Sequence, residues 1–160
     1  MSKKHVKHEK HPNPNIAVRG AVEADIPAIT DLIRHYVDQG ILLARTLDEM
    51  IELLPGFFVA VMDDGKLVGC AALEIYSPKL AEVRSVAVAP EAQGMGVGSL
   101  LVDACVERAR EHRIFEVMAI TSQDAFFKSC GFDYTLSGAK RAVFLQTREH
   151  YTDHSDNSDR

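Results

Sequence analysis

Apolar positions along the chain change period several times, and each change marks an element. A strand reads at about Ile16–Val22. Ile26, Ile29, Ile33, Tyr36 and Val37 then recur at helical spacing behind Asp25, which stands where an N-cap belongs, and Gly40 ends that helix. Thr46 and Glu49 make a T-x-x-E capping box in front of Met50 and Leu53, so a second, short helix follows. Arg45 therefore sits on the loop just before a helix start. Pro55-Gly56 breaks the chain, and two strands at about 57–62 and 66–76 are joined by the tight-hairpin sequence Asp63-Asp64-Gly65.

The stretch Glu82–Gly98 organises the rest. Val83, Val86 and Val88 mark a strand that ends at Pro90, and Gln93-Gly94-Met95-Gly96-Val97-Gly98 then turns into a long helix. That helix carries Val97, Leu100, Leu101, Ala104 and Cys105 inward and Asp103, Glu107, Arg110 and Glu111 outward. Glycines let backbone approach a ligand closely, and the first amides of a helix lack intrahelical acceptors, so the turn reads as an anion cradle. It is not a Walker loop, since Ser99-Leu100 follows Gly98 instead of Gly-Lys-Ser/Thr, and the glycine spacing is not that of a dinucleotide fingerprint. The ordinary alternative is a glycine-rich turn with no ligand.

Further on, Glu116–Thr121 reads as a fifth strand, and Ser122 stands as the cap of a short helix with Phe126 and Phe127 that ends at Gly131. Two last strands are predicted at about 132–136 and 141–147. The resulting order, β-α-α-β-β-β-α-β-α-β-β, mixes hairpins with one strand-helix-strand crossover, which is an α+β layout on a mixed sheet.

Composition narrows the class. A chain of 160 residues with 46% apolar residues suits one domain with a real core. A net charge of −5 argues against a nucleic-acid protein, and no apolar run is long enough to span a membrane. The N-terminus is basic with no apolar segment behind it, unlike a secretory signal. Cys70, Cys105 and Cys130 are an odd, scattered set, as expected of reduced thiols in the cytoplasm. Residues 1–15 are polar and expected to be disordered, and 148–160 are expected to be a polar, frayed tail, on either side of a domain at 16–147. His5, His8 and His11 invite a metal reading, but no Cys or acidic cluster completes a shell, so no metal is expected.

The order of elements, with (Arg or Gln)-x-x-Gly-x-(Gly or Ala) at Gln93–Gly98 and SQDAFFKSCGF at 122–132, resembles the GCN5-related N-acetyltransferases. The resemblance covers about 16–147 and implies their fold, a mixed, mostly antiparallel, twisted sheet flanked by helices. GILLART at 40–46, GCAAL at 69–73 and AEVRSVAV at 81–88 look most like the N-acetylglutamate synthases. Long members of that branch carry an amino-acid-kinase domain in front; this chain looks like the short, stand-alone form.

That resemblance implies transfer of acetyl from acetyl-CoA to the α-amine of L-glutamate, the first step of arginine biosynthesis. Gln93, Gly94, Met95, Gly96, Val97 and Gly98 would hold the CoA pyrophosphate. Val86, Ala87 and Val88 would pair with pantetheine and polarise the thioester. The acceptor amine is mostly protonated near neutrality, so a base must act, and Glu82 matches the glutamate given that role. The family's usual phenol acid is replaced by Phe127; Thr121 aligns with a serine hydroxyl proposed for the task in the synthase branch. Arg45 and Arg84 are the expected carboxylate ligands, with Lys140 and Arg141 as further basic positions, against the ordinary alternative of surface ion pairs. The partner implied is a small amino acid, and a homodimer is the assembly entertained. Rival acceptors are glutamine, another amino acid, a polyamine or a protein N-terminus. A second rival is a non-catalytic acetyl-CoA sensor, which Phe127 favours and Glu82 opposes.

Overall fold

The computed structural model describes residues 15–134 and 142–147. Five strands, β1 (Ile16–Gly20), β2 (Phe57–Met62), β3 (Leu67–Ser77), β4 (Leu80–Val88) and β5 (Glu116–Met118), form one sheet in that order. The first three junctions are antiparallel and β4–β5 is parallel. Helices α1 (Ile26–Val37) and α2 (Leu47–Leu53) precede β2, α3 (Val97–Glu111) crosses from β4 to β5, and α4 (Asp124–Ser129) follows. This is the α+β mixed sheet flanked by helices that the pattern predicts.

Both faces of the sheet are covered, so β2 and β3 read as nearly continuous apolar runs instead of alternating ones. Phe58, Ala60, Ala71 and Leu73 pack with Leu101, Val102 and Cys105 of α3. Phe57, Val59, Cys70 and Ala72 pack on the other face with Ile26, Ile29 and Ile33 of α1 and Met50 of α2. Gly69 lets α3 lie close on β3: a Cβ there would stand 2.8 Å from Val97 Cγ1 and 2.9 Å from Leu101 Cδ1. The Thr46–Glu49 capping box forms as expected, with Thr46 Oγ1 accepting from Glu49 N–H and Glu49 accepting from Thr46 N–H.

The organising strand contains a bulge. Cys70 pairs with Ala87 but Ala72 with Arg84, so two steps of β3 span three of β4, and Ser85 takes the left-handed φ of 52°. A one-residue slip exchanges faces. Before the bulge Ala81 and Val83 join the α3 cluster; after it Ala87 joins the α1 cluster while Val86 and Val88 pack on the α3 side.

Some expectations are corrected. Asp25 does not cap α1 through its side chain; its carboxylate reaches back to Val22 N–H and to the Arg19 guanidinium. β5 is shorter than the expected 116–121, since it shares a ladder with β4 only at Leu80–Glu82. The strand expected at 141–147 is not formed over 142–147, nor that at 132–136 over 132–134; 135–141 lie outside the described residues. Val143 and Leu145 stay 92% and 87% exposed, and a β-prone sequence expresses that preference only on a sheet edge it can pack against. The predicted tails, apart from Asn15, and the N-terminal histidines also lie outside the described residues.

Candidate active site

Past Glu82, β4 has no partner on the β5 side among the described residues, so its edge from Val83 to Val88 lies open between the two strands. At the far end of that edge is the glycine turn. Gly94 and Gly96 both have φ of 79°, and a Cβ on either would point into open space. Gly96 is the N-cap of α3, so the amides of Val97, Gly98 and Ser99 lie in the first helical turn, where the helix offers them no acceptor. Gly98 serves another purpose: a Cβ there would meet Phe126 Cζ at 3.1 Å. Val97 points its side chain into the core, so it can offer a ligand only its amide.

Tyr36, read in the sequence only as an apolar position of the first helix, braces this end. Tyr36 Oη donates to the Val88 carbonyl, and Gln93 Nε2 donates to Tyr36 Oη at 2.9 Å. The predicted cradle residue Gln93 is therefore tied to α1.

Around the bulge the structure gathers charged groups. Glu82 is the one buried charged side chain among the described residues, at 6% exposure. It lies opposite Glu74 of β3. Like charges directly across a ladder repel, and Arg84 offsets this, donating to Glu74 Oε2 at 2.5 Å with its Nε 3.8 Å from Glu82 Oε2. Burial works against the Arg84 charge, but the hydrogen bond to Glu74 and the two carboxylates outweigh it and raise its pKa. Tyr76 Oη donates to Glu82 as well, and burial with the two acids raises the phenol above its ordinary range.

Arg45 reaches the same place from the loop before α2. Its Nε donates to Ser85 Oγ at 2.8 Å, a contact that the bulge makes possible. Burial and then the like charge of Arg84 lower its pKa, against the carboxylates of Glu49, Glu74 and Glu82. The half-buried Arg45 also lines a cavity of ≈ 160 Å³ with Thr30, Ile33, Arg34, Val37, Ala44 and Met50. So Glu82, Arg84 and Arg45 are brought together, but Arg84 is already paired.

The remaining candidates are placed differently. Thr121 lies three residues past Met118, the register partner of Glu82, and its Oγ1 accepts from Gln123 N–H at 2.8 Å. Phe127 is buried, edge-on to Phe126 and Phe132. Tyr134 is exposed and donates to Asp124. Lys140 and Arg141 lie outside the described residues. Among the described residues there is no group of acidic, His and Cys side chains able to hold a metal, and no helix long and apolar enough to cross a membrane.

An open strand edge that leads from a buried carboxylate to an amide-lined turn suits a long ligand with phosphates at one end and a reactive group at the other. Comparison with known proteins gives this arrangement a context. Residues 29–132 match the model of the acetyltransferase (GNAT) family. An amino-acid acetyltransferase of Mycobacterium tuberculosis is 38% identical over 117 residues, covering 72% of this chain and 67% of that protein. A crystal structure of a Mycobacterium tuberculosis protein in complex with CoA superposes with a TM-score of 0.68 at 38% identity, over 72% of this chain and 70% of that one. The N-acetylglutamate synthase of Neisseria gonorrhoeae, crystallised with coenzyme A and N-acetyl-glutamate, gives 0.66 at 32% identity, over 71% of this chain. This chain spans 27% of that larger protein.

Proposed function

The chain belongs to the acetyltransferase (GNAT) family, and from that premise we propose that it moves acetyl from acetyl-CoA to the α-amine of L-glutamate, the N-acetylglutamate synthase reaction that opens arginine biosynthesis. One observation carries the reading: the buried Glu82 and the half-buried Arg45, which bonds Ser85 at the bulge three residues further along β4, are brought to one end of the open edge. A base and a carboxylate ligand are what an amino-acid acceptor needs.

The amides of the turn at 93–98 bind the pyrophosphate, with the α3 dipole favouring its charge. The free edge at Val86–Val88 aligns the pantetheine arm, bringing the thioester toward Glu82. Glu82 takes a proton from the acceptor ammonium, leaving a neutral amine whose lone pair can attack. Arg45 holds an acceptor carboxylate; a charge-assisted bond of this kind contributes about 1.5–3 kcal/mol. As the intermediate collapses, the nitrogen gives its surplus proton to solvent, and the thiolate leaves as an anion or takes a proton from the Thr121 hydroxyl, which regains one from water.

The pairing of Arg84 with Glu74 favours a second reading. If that ion pair persists, Arg45 is the one guanidinium of this cluster left for the acceptor among the described residues, which suits glutamine, with its single carboxylate, better than glutamate. Rates of thiol release from acetyl-CoA with single L-amino acids and simple amines test both. The proposal expects glutamate to give the highest kcat/KM. A clear preference for glutamine would support the second reading, and faster turnover of polyamines or peptide amines would contradict both.

A further inference from the structure

Glu82 has two oxygens, and its neighbours treat them differently. Tyr76 Oη donates to Oε2, and Arg84 Nε lies 3.8 Å from the same Oε2. Oε1 has no hydrogen-bond partner among the described residues, yet it is not a buried unsatisfied atom. Tyr76 is itself 49% exposed on β3, with its hydroxyl also 3.3 Å from Glu74 Oε2. Its phenol is therefore aimed inward at two carboxylates from a side chain that core packing does not require.

We propose that Tyr76 is a positioning residue for acetyl transfer: with Arg84 it fixes Oε2 of Glu82 and leaves Oε1 as the oxygen that takes the acceptor's proton. This rests on the reading of Glu82 as the base. The terminal torsion of a glutamate is broad and roughly two-fold, so a carboxylate without such ties would present either oxygen at varied angles. Proton abstraction needs the accepting oxygen within hydrogen-bond reach of one N–H. In the step, the proton passes from the acceptor ammonium to Oε1, giving a neutral carboxyl and a free amine, and later leaves Oε1 for solvent. Tyr76 keeps its own proton throughout. Among the described residues, the charged and titratable groups facing Glu82 are Glu74 and Tyr76 from β3, Arg84 from β4 and Arg45 from the loop before α2; the register partner on β5, Met118, carries no charge.

Tyr76→Phe tests this, because it keeps the ring and deletes only the hydroxyl. The pH profile of kcat should be measured for wild type, Tyr76→Phe and Glu82→Gln. Losing a hydrogen bond to a charged group should lower kcat roughly 10-fold or more, with the KM for acetyl-CoA unchanged. A donor favours the ionised form of a carboxylate, so its loss should also move the acidic limb to higher pH. If Glu82→Gln removes most of the turnover while Tyr76→Phe keeps kcat within twofold and the limb in place, Tyr76 has no positioning role and Glu82 stands as base. If Glu82→Gln is itself near normal, the base reading fails and the proposal falls with it.

Discussion

At the scale of single residues, the account depends on where a proton goes and what charge meets the acceptor. General-base catalysis contributes ~10²–10⁴-fold, so Glu82→Gln should lower kcat by that order and flatten the acidic limb, with small changes in either KM. Near-normal turnover would leave Glu82 as a structural carboxylate. Arg45→Ala should weaken acceptor use by roughly 10- to 150-fold, at about 1.5–3 kcal/mol for the lost bond, with acetyl-CoA binding unaffected by calorimetry. The thiols give a check on the packing. Burial pushes Cys70 and Cys105 up to about 12, so neither offers much thiolate near pH 8. A thiol reagent should then label Cys130 alone in the native protein and all three cysteines in denaturant. Glu82 and Arg45 could be named in advance because each stands in a stretch that carries the resemblance, Glu82 on the cradle strand itself and Arg45 just before a capping box. Tyr76, Tyr36 and Ser85 could not. Each acts through a partner on another strand or helix, or across a bulge, and pairing across the sheet has no signature in spacing along the chain.

At the scale of elements, β4 and its glycine turn carry the main consequence. Gly96 has a left-handed φ that costs an L side chain roughly 1–2 kcal/mol, and a Cβ there points into the open space that the proposed function gives to the pyrophosphate. Gly96→Ala should lower stability by about that much and weaken acetyl-CoA binding as well; unchanged affinity by calorimetry in a folded variant would mean the turn is not the cradle. The bulge left a trace in the sequence: the apolar positions Val83, Val86 and Val88 step by three and then by two, as a strand with one extra residue does. The two last strands do not form over 132–134 and 142–147, because strand composition alone does not supply a sheet edge. The Arg19–Asp25 pair, which ties β1 to the turn before α1, offers a pH test. Arg19, first by hydrogen bond, holds Asp25 below the usual carboxylate range. Such a group stabilises the fold above its unfolded pKa of about 3.9, and the gain fades as pH falls through the lower folded value. The stability difference between wild type and Asp25→Asn in urea should therefore be largest near neutrality and shrink below about pH 4.

At the scale of the molecule, one sheet covered on both faces presents the open edge of β4 between a charged cluster and a helix start. The architecture was legible because the apolar periods, the capping box and the hairpin turn agree on it. Acceptor identity was less so: it was named from the resemblance, and around Glu82 the described residues gather Glu74, Arg84 and Arg45, where the cross-strand pair with Glu74 occupies one of the two arginines. The most direct test of the account follows the acetyl group itself. The protein should be incubated with acetyl-CoA labelled in the acetyl group and L-glutamate, and the product read by tandem mass spectrometry. The account predicts label on the α-nitrogen of glutamate in amounts matching the CoA released, and loss of that product in Glu82→Gln. CoA release without labelled N-acetyl-glutamate, or label carried only by the protein, would contradict it.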